Sequence, residues 1–172
     1  MTDYLDTVSA YVADTTLNDL PQPAVDRARR VLADSVAAIA AGSAEPEVMA
    51  LTEKVTGDGT TGRATVIGTG LTTEPAKAAF LNGTAGTFLE LDEGNQFSRG
   101  HPGIHALPSA LAVSEAAGKS GGEFLTAMVL GYEIGARIGM ASKILPSMHP
   151  HGTWGTVGSA VAVAKLHGAD AG

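Results

Sequence analysis

The sequence predicts an all-α fold, a compact multi-helix domain with at most one short β segment. Three observations predict it. Apolar residues recur at helical spacing in one segment after another, and proline, capping and glycine residues bracket those segments. Ala and Gly abound while aromatics make up only 5% of the chain, so helices can approach one another closely.

Each element has its own signal. Residues 3–15 place Leu5, Val8, Tyr11 and Val12 on one face, with Thr2 as N-cap. Pro23 suits the first turn of a second helix ending at Ala41, with Gly42 just beyond. Its apolar face is Val25, Ala28, Val31, Leu32, Val36 and Ile39, and Asp34 within it reads as a buried acid with a partner. Pro46 opens a helix carrying Val48, Leu51 and Val55. GDGTTG at 57–62 is a turn, and ATVIG at 64–68 is the one β-type run. The following GTG is a plain turn, because Thr73 stands where a dinucleotide fingerprint wants its third glycine. Thr73 caps a helix from Glu74 to about Phe88, and Leu107–Ala117 forms the next, ended by Gly118. Ser120-Gly-Gly-Glu123 is a capping box for a long helix to about Lys143. Inside it Tyr132 reads as a core anchor and Glu133 pairs with Arg137. Thr153–His167 is the last helix, with Trp154 as core.

Composition narrows the function. The 172 residues read as one domain, residues 1–172, and 44% hydrophobic with 17% charged residues is a globular balance. The net charge is −7 and the largest basic cluster is Arg27, Arg29 and Arg30, which argues against nucleic acid. An acidic small molecule stays possible, because a pocket can be locally positive on a negative protein. Without cysteine there is no disulfide, thiol nucleophile or thiolate metal site. MTDYLDTV lacks the features of a signal peptide, and Val31–Ala41 is too short and too polar to span a bilayer. The expectation is a cytoplasmic protein with no membrane partner.

Two stretches carry chemistry. ELDEGNQFSRGHPGIH at 90–105 offers Asp92, Glu93, Arg99, His101 and His105. It reads either as a polar surface loop or as an acid–base loop. In the second case a histidine moves a proton, Asp92 orients it, and Arg99 meets a substrate carboxylate. SMHPHGTWGTVGSA at 147–160 places His149 and His151 before a helix start. Backbone N–H groups there, with the Thr153 hydroxyl, suit a carboxylate. The glycines serve equally well for close packing. Asp92, His101, His105, His149 and His151 are adequate metal-ligand types, but Pro102 and Gly103 keep His101 and His105 from being a helical pair and no HExxH is present. No metal is expected.

The order of GTAGTFLELDEGNQFSRGHPGIH, the capping box followed by GYE, and MHPHGTWGTVGSAVAVAKLHGAD resembles the MmgE/PrpD family. That family includes 2-methylcitrate dehydratase, cis-aconitate decarboxylase and iminodisuccinate epimerase. The resemblance implies a helical domain, an α/β lid domain further along the chain, homodimers, small di- and tricarboxylate substrates, and no metal or organic cofactor. It also implies chemistry that starts by removing a proton next to a carboxylate. Carried over, Asp92, His101 and His149 line the active site. Arg99, Gln96, His151 and Thr153 are substrate-binding candidates read from the two stretches themselves. Here the later motif reads MHP rather than FHP, His151 stands where threonine is frequent, and Gln96 stands where the decarboxylase has threonine. Family enzymes are more than twice as long, and Lys54, Lys77, Lys119, Lys143 and Lys165 match none of the pocket lysines. The expectation is therefore the N-terminal portion of the helical domain, without the lid, acting as half of a split lyase or isomerase completed by a second polypeptide. The alternative is a non-catalytic carboxylate-binding or regulatory partner of a full-length paralogue.

Overall fold

The computed structural model describes residues 3–171. Among them run α1 (Tyr4–Asp14), α2 (Gln22–Gly42), α3 (Pro46–Thr56), β1 (Ala64–Val66), β2 (Leu71–Thr73), α4 (Pro75–Phe88), α5 (Pro102–Ala117), α6 (Gly121–Ala141) and α7 (Trp154–His167). Short 3-10 turns at Leu17–Asp19 and Pro150–Gly152 precede α2 and α7.

The α6–α7 pair sets the depth of the packing. A Cβ on Gly131 would lie 2.6 Å from the Gly158 carbonyl oxygen, and one on Gly139 would lie 2.8 Å from the Trp154 ring. Only glycines let these two helices come this close, which answers the sequence's abundance of small residues. α6 starts at its capping box, where Glu123 accepts from the Ser120 backbone N–H at 2.9 Å and Ser120 Oγ accepts from the Glu123 N–H at 3.2 Å. By length and composition α6 could cross a bilayer, but here 56% of its apolar window is buried against the rest of the protein. Ile39, Leu107, Met128 and Leu130 are among the largest fully buried side chains and hold α2, α5 and α6 on one core.

The β-type run pairs with a strand the sequence did not announce. Ala64, Thr65 and Val66 lie antiparallel to Thr73, Thr72 and Leu71, and the turn between them uses positive φ at Gly68 and Gly70. Thr73 is thus a strand residue, and Glu74 occupies the N-cap of α4. Two helices hold the hairpin. Asn82 accepts from the Ile67 N–H at 2.9 Å and donates to the Thr65 carbonyl at 2.8 Å, and Glu115 accepts from the Thr65 N–H at 2.6 Å.

Three further expectations change. The Thr2 cap lies outside the described residues, and Asp3 is the N-cap of α1, accepting from the Leu5 N–H at 3.4 Å. Asp34 is exposed rather than a buried acid. α5 begins at Pro102, not Leu107. Pro102 sits at the first helical position, where its missing N–H has no intrahelical partner to lose. Pro108 lies inside the helix and costs it one i→i−4 bond, yet burial of Ile104, Leu107 and Ala110 on the core keeps the segment helical. His101 is therefore the N-cap of α5, with His105 in its first turns.

Candidate active site

The loop between α4 and α5 folds on itself around Asn95. Its N–H donates to the Gly100 carbonyl at 2.8 Å and the Gly100 N–H donates back at 3.4 Å. Its side-chain oxygen accepts from the N–H groups of Phe97 and Ser98 at 3.0 and 3.1 Å, an Asx turn of the kind asparagine favours. Glu90 and Arg99 take the left-handed backbone conformation, with φ of 53° and 56°, which costs a non-glycine residue energy and persists only where surroundings enforce it.

This loop buries Asp92. Its side chain is 2% exposed, and its Oδ2 makes no hydrogen bond. Burial raises its pKa above the ordinary carboxylate value; the charge of His101 opposes that shift, and Glu90 and Asp34 add to it. Asp34, lost as a buried ion-pair member, thus returns as an exposed charge felt by Asp92.

His101 lies 3.3 Å from Asp92, measured from its Nδ1 to Oδ2. Asp92 does not orient the ring through a hydrogen bond, as the sequence suggested. The acceptor for Nδ1–H is the backbone carbonyl of Glu93 at 3.0 Å, with that of Asp92 at 3.4 Å. With the proton on Nδ1, Nε2 carries the lone pair and is free to take a proton.

The second HP segment brings its histidines to the first. The His101 and His151 rings are 5.7 Å apart, His105 meets His151 edge-on at 4.7 Å, and His149 stacks on His151 at 4.4 Å. His105 Nε2 and His151 Nδ1 are in hydrogen-bond contact. Within this cluster positive charge is disfavoured on His105 and His151. Burial, then the neighbouring His151, His101 and His149, push the His105 pKa down to about 3. Burial and His149 lower that of His151. His105 also packs edge-on against Trp154 at 5.0 Å, and a Cβ on Gly155 would strike its ring at 2.3 Å. The glycine and tryptophan of GTWG therefore fit this histidine to the start of α7.

The expected site residues separate into groups. Asp92, His101, His149 and His151 come together. The Thr153 hydroxyl donates to the His149 and Pro150 carbonyls at 3.0 and 3.2 Å, so its proton is committed to the backbone rather than offered to a carboxylate. Arg99 is exposed and has no ion-pair or hydrogen-bond partner among the described residues. Gln96 lines a different hollow of about 560 Å³ together with Arg27, Glu93, Asn95, Phe97 and Tyr132. Another hollow of about 600 Å³ is lined by Phe80, Thr84, His105, His151, Gly155 and Thr156. No group of three or more His, Asp or Glu side chains with metal-holding geometry occurs among the described residues.

Tyr132 is more than a core anchor. Its hydroxyl donates to Glu93 Oε1 at 2.6 Å and accepts from Asn95 Nδ2 at 3.1 Å. The nearby Glu133–Arg137 pair forms as expected, at 2.5 Å. No sequence signal marks the Tyr132–Glu93 contact, because its two residues lie 39 positions apart.

The MmgE/PrpD N-terminal domain profile matches residues 6–172. A cis-aconitate decarboxylase-like protein, oryM, of Aspergillus oryzae is 29% identical over 169 residues, which cover 92% of this chain and 35% of that protein. The cis-aconitate decarboxylase of Aspergillus terreus is 27% identical over 167 residues, 92% of this chain and 34% of the relative. The chain thus spans about a third of the length of the curated relatives it matches. Over nearly all of its length, it belongs to the MmgE/PrpD family.

Proposed function

We propose that this chain contributes Asp92, His101 and His149 to a cofactor-independent lyase or isomerase of the dehydratase, decarboxylase or epimerase type. The reaction begins by removing a proton α to a carboxylate of a small di- or tricarboxylic acid. One observation carries this reading: a buried carboxylate with an unbonded oxygen stands 3.3 Å from a histidine whose other ring nitrogen is free. Burial makes Asp92 a stronger proton acceptor than an exposed aspartate, and His101 Nε2 is a second acceptor beside it. When either group takes the proton, the electron pair left on carbon delocalises into the adjacent carboxylate. It then expels a β leaving group (dehydratase type), takes a proton back on the other face (epimerase type), or takes it back further along the conjugated system so that a carboxylate leaves as CO2 and its bonding pair is protonated in turn (decarboxylase type). His149 is the candidate for the complementary proton donor.

A di- or trianion also needs fixed cations, and burial lowers the pKa of His105 and of His151, so these two are poor sources of positive charge. A second polypeptide is proposed to supply the cations and to cover the exposed apolar side chains beside the site, Leu91 at 63% and Phe97 at 69% exposure. The 27–29% identical relatives bear the names cis-aconitate decarboxylase and cis-aconitate decarboxylase-like protein, so cis-aconitate is the first substrate to try.

The test is solvent-deuterium exchange and turnover of cis-aconitate and related acids, followed by NMR, for the chain alone and mixed with the product of the adjacent reading frame. Activity in the mixture should fall by roughly 100-fold or more in Asp92→Asn and in His101→Ala. Full activity in Asp92→Asn would remove the assignment. Carboxylate binding without exchange in every mixture would instead make the chain a non-catalytic partner.

A further inference from the structure

We infer that Glu93 is a positioning residue that sets the tautomer of His101, acting through its own main chain. The inference rests on the proposed role of His101 as a proton acceptor.

Glu93 is held at three points. Its Oε1 accepts from the Tyr132 hydroxyl at 2.6 Å, and its Oε2 accepts from the Gly103 N–H at 3.0 Å. Its carbonyl accepts from His101 Nδ1 at 3.0 Å. The first bond ties the residue to α6 and the second to the start of α5, two elements fixed by the core. A carboxylate at a helix N-terminus is favoured by the free N–H groups and the dipole there. With both carboxylate oxygens anchored, the carbonyl of the same residue has little freedom to turn away from the imidazole.

The surroundings fit this single purpose. A Cβ on Gly103 would lie 2.7 Å from Glu93 Oε2 and 2.7 Å from Val31 Cγ1, so the glycine of HPG leaves room for the carboxylate against the helix start. Asn95 donates to the Tyr132 hydroxyl at 3.1 Å, which uses that oxygen's lone pair and leaves its proton directed at Glu93. Asp92, by contrast, has an oxygen with no hydrogen bond although it is close to the same ring. The two neighbouring acids therefore divide the work. Asp92 contributes charge and a buried oxygen without a hydrogen bond, and Glu93 fixes which ring nitrogen bears the proton. Without that fixation His101 would populate both tautomers, and only the one with a bare Nε2 can accept a proton there.

The experiment is long-range 1H–15N NMR of the histidine-labelled chain at a pH where His101 is neutral, with His101→Gln to assign its signals. The native chain should show a protonated Nδ1 and an unprotonated Nε2 at His101. Glu93→Ala should shift the tautomer ratio several-fold toward Nε2–H, and Glu93→Gln, which keeps acceptor oxygen, should restore part of it. Tyr132→Phe removes one anchor and should shift the ratio less, in the same direction. It carries the test should Glu93→Ala fail to fold. An unchanged ratio in the folded variants would overturn the inference, since a purely structural role would lower melting temperature without moving the tautomer. The ratio is read without substrate, so this result is separate from whether Asp92 and His101 perform the proposed reaction.

Discussion

The dipeptide His–Pro occurs twice, at 101–102 and 149–150, and the two copies sit in different frames. His101 caps a 16-residue helix, is half-buried, and has Nδ1 held by a backbone carbonyl. His149 precedes a three-residue 3-10 turn, is exposed, and its Nδ1 accepts only a 3.4 Å bond from the His151 N–H. In both copies proline fixes φ at the first position of a turn and leaves no unmet N–H. The residue after the proline decides the rest. Behind Pro102 stands a glycine that admits the Glu93 carboxylate. Behind Pro150 stands His151, which joins the two copies by lying between His101 and His149. A shared dipeptide thus supplies a shared backbone start, while tautomer, burial and charge come from groups remote in sequence.

If the second copy is held in place by the wedge of His105 between Trp154, His151 and Gly155, filling Gly155 should disturb it most. Gly155→Ala puts a methyl into the His105 ring. Overpacking of this kind costs about 1–3 kcal/mol. In a domain of this size the melting temperature should drop by roughly 2–12 °C, measured by circular dichroism. Gly152→Ala is the control, since a Cβ there meets nothing within 4 Å. Equal melting temperatures for the two variants would break the picture of a wedge.

A smaller effect should appear in the pH dependence of stability. The His105 pKa is lowered from 6.5 to about 3 in the folded chain. Between those values the unfolded chain binds more protons than the folded one, so stability rises with pH across that window and is lost as pH falls from 6.5 toward 3. His151 adds in the same direction. Urea unfolding at about pH 4.5 and about pH 6.5 should show the native chain gaining stability at the higher value, and His105→Phe gaining less. The same gain in both would place the titration elsewhere and detach the cluster from the first copy.

How far the sequence disclosed this arrangement depends on the range of each interaction. The capping box of α6 and the proline starts of α2, α3 and α4 are encoded within a few residues and were legible. The start of α5 was not, because Pro102, Gly103 and Pro108 resemble breakers, while the force that keeps them helical is burial of Ile104 and Leu107 against other helices. Asp92 and His101 were legible as residue types. The Glu93–Tyr132 bond spans 39 positions, and the acceptor of His101 Nδ1 is a carbonyl, a group every residue possesses. Neither leaves a local trace. Thr153 and Arg99 suited a carboxylate by chemistry alone, and folding committed the first to the backbone.

The smallest expected effect is also the sharpest for the comparison. His149→Ala removes an exposed ring whose contacts are a stack on His151 and one long hydrogen bond. Exposed substitutions of this kind stay within about 0.5 kcal/mol, so chemical denaturation should barely distinguish it from the native chain. His101→Ala should cost more, because it leaves the Glu93 carbonyl and the buried Asp92 without their neighbour. If His149 acts on substrate, activity in the completed enzyme should fall while stability holds. A loss above about 1 kcal/mol in His149→Ala would mean that the second histidine props up its turn as the first props up its loop. The two copies would then be structural equivalents, and the distinction drawn from their exposure would fail.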